Sequence, residues 1–360
     1  MWIFQIFQWK NSFTFTLMDS LTQIVLGAAC GEVALGKKIG NKAMLFGAIG
    51  GTIPDLDVII GHWFFNNEID QLAFHRGFMH SIVFSLIASL VIGFITSELY
   101  NSGKRKGSTN LKDWVWLFFL SIFTHPVLDS FTPYGTQLFL PFTDYRLAFN
   151  NISVADLMYT VPFLLCLLIT MFFKRTNPRR IKWAKAGIYI SSAYMLFTLG
   201  NKIYMDSVFE KSFKKANISY NRFSAQPTIL NNILWYAVAE TDSNYYVTYY
   251  SLFDKSDTAD KMIVIPKNHD LVDMSHPDLK TIRWFSKDYY GLATTESQQI
   301  VYKDLRYPLL DENDPNSSLM SFVLIKEGDR WNTGNMTRRF EGKSIWDFFG
   351  GIYDRAFRDY

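Results

Sequence analysis

The run G-F-M-H-S-I-V-F-S-L-I-A-S-L-V-I-G-F-I-T-S, at residues 77–97, contains no Asp, Glu, Lys or Arg. An α-helix needs about 20 predominantly apolar residues to cross the hydrocarbon core of a bilayer, so this run is long enough to span a membrane. His80 lies near its start, and an ionisable group at membrane depth is costly enough to indicate a functional role. The run therefore predicts a membrane helix that carries part of a site.

Other apolar stretches on both sides of this run predict further membrane helices. They are residues 43–65, 114–128, 157–173 and 186–201. In the first of them Pro54 should break or kink the helix and free backbone groups beside Asp55 and Asp57. Hydrophobic residues at 49% and aromatic residues at 17% are also high for a wholly soluble protein. We therefore predict a mainly α membrane protein with a multi-pass transmembrane helical bundle.

The first predicted helix, residues 21–36, is rich in small residues and contains one acidic residue. Gly27 and Gly31 favour close approach of a neighbouring helix. Glu32 needs a partner in this apolar setting, either as a metal ligand or in a pair with another helix, and the sequence leaves both roles open. Met18 is a possible start of translation, since Asp19 or Ser20 can cap this helix. Residues 1–18 are an N-terminal extension to which we assign no role.

The distribution of basic residues predicts the orientation of the helices. Lys and Arg cluster at 104–112 and at 174–185, which predicts that both connections are cytoplasmic. His80, His125 and Asp129 then lie toward the outer face. The formal net charge of +3 is too small to indicate a nucleic-acid partner.

Beyond residue 204 the pattern changes to that of a polar domain. Apolar and aromatic runs at 233–240, 243–253, 262–266, 298–302 and 319–325 predict strands, and residues 277–290 and 344–357 predict helices. We therefore predict two main domains: residues 19–204 as a transmembrane domain and residues 205–360 as a small α+β domain. The loop charges place the second domain outside the cytoplasm.

Metal-ligand side chains recur within residues 55–129. His125 and Asp129 are four residues apart on a predicted helix and therefore share one face, where they can bind one ion together. His75 and His80 can both point inward if the chain turns at Gly77. The only two cysteines lie in apolar stretches, so a metal must be held by His and carboxylate. These groups predict a metal site, most readily for zinc.

Three charged residues beside these ligands have possible roles in hydrolysis. Asp55 and Asp57 can supply oxygen atoms that bridge two ions, or one of them can act as a general base. Arg76 can clamp a phosphate oxygen. Simpler readings remain open, because Asp57 can cap a helix and His125 with Asp129 can be a hydrogen-bonded pair.

Four motifs carry a resemblance to a known family. They are M-D-S-L-T-Q at 18–23, G-T-I-P-D-L-D at 51–57, H-R-G-F-M-H-S at 75–81 and T-H-P-V-L-D-S-F-T-P-Y-G-T-Q-L-F-L-P-F at 124–142. In this order they resemble the LexA-regulated inner-membrane metal-dependent hydrolase family (YdjM-like). The resemblance covers about residues 18–159.

The resemblance implies a bacterial inner-membrane hydrolase, distantly related to zinc-dependent phospholipase C, and hence phosphoester chemistry. The metal-binding positions it implies are Asp55, His75, His80, His125 and Asp129, with Asp57 and Arg76 beside them. Two positions depart from the family pattern: Gln23 stands where many members have His, and Met79 replaces a usual Thr. One ligand is then missing unless Glu32 compensates, which leaves the number of ions open.

The sequence thus leads to two functional hypotheses. The first is a membrane-bound hydrolase that uses a divalent metal on a phosphoester of a lipid or lipid-linked substrate. The second is a non-enzymatic membrane scaffold or lipid-binding protein in which the metal site is structural. An open coordination position facing a cavity favours the enzyme, and a site sealed by Phe78 and Phe131 favours the scaffold.

Overall fold

The computed structural model describes residues 2–335 and 345–357, with side chains for 20–334 and 347–357. Its packing divides the chain into two compact units. The first comprises Met1–Ile60 and His75–Thr198, and the second comprises Gly61–Phe74 and Leu199–Tyr360. The boundary near residue 200 lies close to the predicted one at 204/205. The assignment of residues 61–74 to the second unit was not predicted.

Helices form the first unit. In chain order they are α1 (Trp2–Ile39), α2 (Asn41–Thr52), α3 (Leu56–Phe64), α5 (Ile82–Tyr100), α6 (Leu111–Asp129), α7 (Leu157–Met171) and α8 (Pro178–Lys215), where α3 and α8 continue into the second unit. The short helix α4 (Glu68–Phe74) lies wholly in the second unit. Since α1 already begins at Trp2, Asp19 and Ser20 lie inside a helix rather than at its cap. The side chain of Asp19 is outside the described residues.

The predicted break at Pro54 is present. Helix α2 ends at Thr52, and α3 begins at Leu56. Because Pro lacks an N–H group and clashes with the preceding turn, the helix cannot run straight through. Asp55 lies in the break, and Asp57 lies in the first turn of α3. The interruption therefore brings two carboxylates to one point of the helical unit.

Small residues allow α1 and α2 to pack with their backbones in contact. A Cβ atom added to Gly31 would lie 2.1 Å from the carbonyl oxygen of Ala43, and one added to Gly27 would lie 2.4 Å from that of Gly47. Any larger side chain at these positions would force the helices apart. The predicted close approach of the first helix is therefore confirmed, and it brings Gly51 against the backbone of Gln23.

Two helical segments of the described residues are long and apolar enough to cross a membrane. They are Asn41–Phe64, which includes the break, and Ile82–Tyr100, while Leu157–Met171 is apolar but shorter. Helix α5 exposes a row of large apolar side chains: Leu86, Ile87, Leu90, Val91, Phe94, Ile95 and Leu99. Exposed apolar area of this extent is unusual on a soluble protein and is typical of a lipid-facing surface.

A buried ion pair joins α1 to α8. Arg180 donates from Nε to Glu32 Oε1 at 2.7 Å and from Nη2 to Glu32 Oε2 at 2.5 Å. Arg180 Nη1 donates to Asn41 Oδ1 and to the carbonyl of Phe173. Of the two roles left open for Glu32, the structure gives it the pair with a neighbouring helix.

The second unit contains two antiparallel four-stranded sheets. The first has the order β1 (Arg222–Pro227), β2 (Leu234–Glu240), β3 (Asn244–Ser251) and β4 (Ile263–Pro266). The second has the order β5 (Tyr290–Thr294), β6 (Ile300–Leu309), β7 (Ser318–Glu327) and β8 (Arg330–Asn335). Both are simple meanders, and side chains of both sheets, including Tyr236 and Leu305, share one core cluster.

Helices α9 (Pro277–Phe285) and α10 (Ile345–Phe357) complete this unit. The predicted C-terminal domain with strands and helices is thus confirmed as a β-sheet domain, but strands β1, β5 and β8 were not predicted. The predicted helix 277–290 ends early because Lys287 and Asp288 take positive φ angles, after which β5 begins. Helix α4 packs on α9 and β8, with Asn67 donating to the Trp331 carbonyl.

Candidate metal centre

Three chain segments of the helical unit meet at one buried point. The break after α2 supplies Asp55, a 3₁₀ turn at Phe78–His80 supplies His80, and the last turns of α6 supply His125 and Asp129. The 3₁₀ turn ends at Ser81, whose hydroxyl accepts from Phe84 N and caps α5. Ser81 is therefore the N-cap residue of α5.

The ligand atoms of three residues form a small triangle. His80 Nε2 and His125 Nε2 are 3.2 Å apart, and Asp55 Oδ1 lies 3.5 Å from the first and 3.3 Å from the second. Ligand atoms bound at about 2.0–2.1 Å in a tetrahedral zinc site are about 3.3 Å apart. The spacing of Asp55, His80 and His125 therefore matches that of three ligands of one ion.

The groups beside the Nδ1 atoms of the two imidazoles favour the tautomer that is protonated at Nδ1. His125 Nδ1 lies 2.6 Å from the carbonyl oxygen of Gly51, which can only accept, so Nδ1 carries the proton. His80 Nδ1 lies 3.0 Å from Asp57 Oδ2, a contact that is attractive when this nitrogen is protonated. In the neutral rings both Nε2 lone pairs then point into the triangle. Two lone pairs at 3.2 Å repel each other, and a cation between them removes the repulsion.

Asp57 orients the surrounding groups instead of joining the triangle. Its Oδ2 accepts from the backbone N–H of Arg76 at 2.9 Å and contacts His80 Nδ1, and its Oδ1 contacts His75 Nδ1 at 2.9 Å. A carboxylate behind a ligating histidine is a common arrangement at metal sites, because it fixes the ring and raises its basicity. With both oxygen atoms engaged in this way, Asp57 is poorly suited to the predicted role of general base.

Asp129 also contacts the two imidazoles. Its Oδ2 is 3.4 Å from His80 Nε2 and 3.5 Å from His125 Nε2. The other oxygen, Oδ1, accepts from Gln23 Nε2 at 2.8 Å. Within the described part of the chain Oδ2 is a buried oxygen without a hydrogen bond, although Arg76 Nε lies 3.1 Å away. An under-satisfied carboxylate oxygen facing two imidazole nitrogens suits a cation.

Arg76 occupies an interior position that differs from the predicted phosphate clamp. Its φ angle is +57° and its side chain is buried, with Nη1 donating to Thr132 Oγ1 at 2.9 Å. The guanidinium lies 4.7 Å from the centre of the Tyr134 ring and also pairs with Asp129. Because it is held by these neighbours away from solvent, Arg76 stabilises the charge of Asp129 and the turn around the site.

Besides Asp129, two other predicted ligands lie outside the triangle. His75 contacts Asp57 and packs edge-on against His80, with ring centres 5.8 Å apart, and a quarter of its side chain is exposed. Both oxygen atoms of Glu32 are bound by Arg180, so the structure does not bring Glu32 into the cluster as a ligand. Gln23, in contrast, does reach the site through Asp129.

The connection between α6 and α7, residues 130–156, covers this end of the helices. The backbone N–H of Gln137 donates to the Arg76 carbonyl, and that of Ile82 donates to the Leu138 carbonyl. Arg146 Nη2 donates to the His75 carbonyl at 3.2 Å.

The four clustered groups differ in exposure. Asp55, with 19% of its side chain exposed, is the most accessible of them, since the other three are 0–1% exposed. Asp55 is therefore the part of the cluster that reaches solvent.

Comparison with models of known protein families identifies the family of this chain. The sequence model of the YdjM inner membrane protein family matches residues 18–204, which is more than half of the chain and contains the whole cluster. The chain belongs to the YdjM inner membrane protein family. The predicted resemblance to the YdjM family is thereby confirmed, and with it the assignment to a family of inner membrane proteins; regulation by LexA, hydrolase activity and the relation to phospholipase C stay predictions.

Two curated proteins illustrate this YdjM-family relationship. The chain is 30% identical over 146 residues to YfhP of Bacillus subtilis (strain 168), an alignment that covers 39% of the chain but only 42% of YfhP. It is 31% identical over 142 residues to the inner membrane protein YbcI of Escherichia coli (strain K12), covering 37% of the chain and 77% of YbcI. No solved structure matches this chain.

Some features of the site had a signal in the sequence and others had none. The ligand types and their spacing indicated Asp55, His80, His125 and Asp129. His125 is held by the backbone carbonyl of Gly51, and a contact to the backbone cannot be recognised from residue types. The pairing of Asp57 with His80 likewise depends on how a helix break and a 3₁₀ turn meet in space.

Proposed function

We propose that this protein is a multi-pass membrane hydrolase that uses a divalent metal, most readily zinc, on a phosphoester of a lipid or lipid-linked substrate. The observation that carries the proposal is the triangle of Asp55, His80 and His125, with both Nε2 atoms directed inward. Phosphoester chemistry rests on the family resemblance, and the lipid substrate rests on the apolar surface of the helices.

Each group of the chain has a defined task in this proposal. Asp55, His80 and His125 hold the ion, and Asp129 lies beside them with Oδ2 3.4 Å from His80 Nε2 and 3.5 Å from His125 Nε2. When bound, such an ion supplies positive charge that lowers the pKa of water and polarises a phosphoester. Asp57 and the Gly51 carbonyl hold the two imidazoles in the tautomer that binds metal. Asp55 lies on the accessible side, where substrate enters.

The membrane arrangement is part of the same proposal. The basic connections at 104–112 and 174–185 lie on the cytoplasmic side, and the metal centre and the sheet domain lie on the outer side of the inner membrane. Support comes from the positive-inside rule and from the family to which the chain belongs. Protease accessibility of tags placed in the 101–110 loop and in the sheet domain of spheroplasts tests this orientation.

A structural metal centre in a non-enzymatic membrane scaffold is the second candidate. It is favoured by the deep burial of His80, His125 and Asp129, because a closed site without an open position is typical of structural metals. Phe78 and Phe131, the residues expected to seal such a site, pack on Phe84 and Phe149 respectively. The accessible edge at Asp55 therefore favours the hydrolase.

Metal content and phosphate release together distinguish the two candidates. The protein, purified in nanodiscs, is assayed for bound zinc and for release of phosphate or headgroup from phosphatidic acid, phosphatidylcholine and a polyprenyl phosphate. The hydrolase predicts release that a chelator abolishes and that zinc restores. Stoichiometric metal without turnover of any phosphoester supports the scaffold, and absence of metal overturns both.

A further inference from the structure

The connection 130–156 contains an aromatic surface that the proposed chemistry does not use. Exposed large side chains lie at Phe139, Phe142, Tyr145 and Phe149, and Phe142 is 84% exposed. Between them only Asp144 is charged and exposed. Isolated exposed aromatics are ordinary, but four within eleven residues form a patch.

A backbone hydrogen bond places the connection 130–156 beside the first residue of a candidate membrane span. Ile82 is the first residue of α5, and its backbone N–H donates to the Leu138 carbonyl at 3.0 Å. Phe139 directly follows Leu138 and so lies at the end of this span. The patch therefore adjoins the end of an apolar helix that faces lipid along Leu86, Leu90 and Phe94.

Tyr and Trp are enriched at the interface between hydrocarbon and water because their rings are amphipathic, and Phe side chains of interfacial segments are buried at the boundary between headgroups and acyl chains. The composition of the patch fits this environment: three Phe, one Tyr with its hydroxyl, Pro141 and Thr143. The connection also contacts the site directly, through Arg146 and the His75 carbonyl. Its depth in the membrane therefore determines the depth of the metal centre.

We propose that residues 139–149 form an interfacial anchor that rests in the lipid headgroup layer and holds the metal centre at that depth. The occupant of the aromatic patch is the bilayer surface. The proposal rests on the membrane location in the proposed function and deepens it. The scissile bond of the preferred substrate lies at the headgroup of a membrane lipid. A phosphate deep in the bilayer and a soluble phosphoester are then poorer substrates.

Depth measurement by fluorescence quenching tests the anchor without reference to activity. Single cysteines are introduced as Phe142→Cys, Phe94→Cys and Ser108→Cys, labelled with an environment-sensitive fluorophore, and measured in nanodiscs. Cys30 and Cys166 are buried, and an unmutated sample measures their background labelling. The nanodiscs carry nitroxide quenchers either in the headgroup, at a shallow acyl position or at a deep acyl position.

The anchor predicts a distinct pattern at each position. Phe142→Cys is quenched most strongly by headgroup and shallow nitroxides, Phe94→Cys by deep nitroxides, and Ser108→Cys, in the basic connection, least by any of them. If Phe94→Cys responds to deep nitroxides while Phe142→Cys behaves like Ser108→Cys, the anchor is overturned and the membrane proposal stands. If Phe94→Cys is also unquenched, the membrane arrangement itself fails.

A double variant separates anchoring from catalysis. Phe139→Ser with Phe142→Ser leaves every clustered ligand in place. The anchor predicts at least a several-fold loss of activity on phospholipid in vesicles, with metal content and activity on a short-chain, water-soluble phosphoester unchanged. An equal loss on both substrates, or no loss on either, contradicts the anchor.

Discussion

The Nε2 atoms of His80 and His125 lie 3.2 Å apart in the interior of the helical unit, while the Nδ1 atom of each ring faces an acceptor. This relationship is unfavourable when both neutral rings carry their proton on Nδ1, because two Nε2 lone pairs then oppose each other. It becomes favourable when a cation lies between them. The metal site proposed above accounts for the arrangement and predicts the behaviour of each neighbouring group.

Loss of one ligand is expected to abolish metal binding. In His125→Ala the triangle loses a nitrogen. Mutation of a group that only orients a ligand typically lowers metal affinity about 10–100-fold, so we expect the loss of a ligand to lower bound zinc by more than this. Zinc is measured by mass spectrometry after dialysis against a metal buffer. His62→Ala is the matched control, because His62 is exposed and lies outside the cluster. Equal zinc in both variants would refute the site.

Asp57→Asn tests the orienting carboxylate. The amide removes the charge that holds His80 Nδ1–H and His75, while side-chain size is kept. We expect zinc affinity to fall about 10–100-fold, with the protein still folded. Asp144→Asn, an exposed acid in the α6–α7 connection, serves as the control and should bind zinc normally. An unchanged affinity in Asp57→Asn would mean that the carboxylate does not position the ring.

Breaking the Glu32–Arg180 pair should destabilise the protein without altering its metal content. Glu32→Ala leaves the Arg180 guanidinium buried without its carboxylate, so we expect a loss of about 3–5 kcal/mol in the free energy of unfolding. The exposed pair of Lys38 with Asp113 provides the comparison, and Lys38→Ala should lose less than about 1 kcal/mol. Both are followed by denaturation in detergent. Reduced zinc in folded Glu32→Ala would instead restore Glu32 as a ligand.

Close packing of α1 on α2 is tested by adding a single methyl group. In Gly31→Ala the new Cβ would lie 2.1 Å from the carbonyl oxygen of Ala43, so the helices must shift, at a cost of about 1–3 kcal/mol. Gly200→Ala meets no atom within 4 Å and should be neutral or slightly stabilising, as Ala is the better helix former. If the two variants melt at the same temperature, the close contact is absent in solution.

Much of the helical unit was predictable because its signals are local. An uncharged run of 21 residues predicts a membrane-length helix whatever surrounds it, and Pro54 breaks a helix through its own covalent structure. Small residues such as Gly31 predicted close packing for the same reason, since only a missing side chain permits backbone contact. The types and spacing of Asp55, His80, His125 and Asp129 indicated a metal site before any fold was known.

The sheet domain was predicted less completely. Strands β2 and β3 are apolar and aromatic enough to be recognised, whereas β1 and β8 contain polar residues and are strands only because a neighbouring strand pairs with them. Helix α4 belongs to the same unit through contacts with Trp331 and Asn332, more than 250 residues away. Such pairings have no local signature.

By itself, the sequence determined that this chain has membrane-length helices, a break beside two carboxylates and a set of His and Asp side chains of the types that bind metal. These follow from residue type and spacing, which act over a few residues. Tertiary structure decided which groups form the triangle, that Asp57 orients His80, that Gln23 holds Asp129, and that Glu32 pairs with Arg180. Those choices depend on distances of a few ångströms between segments far apart in the chain, which only the packing of the helices sets.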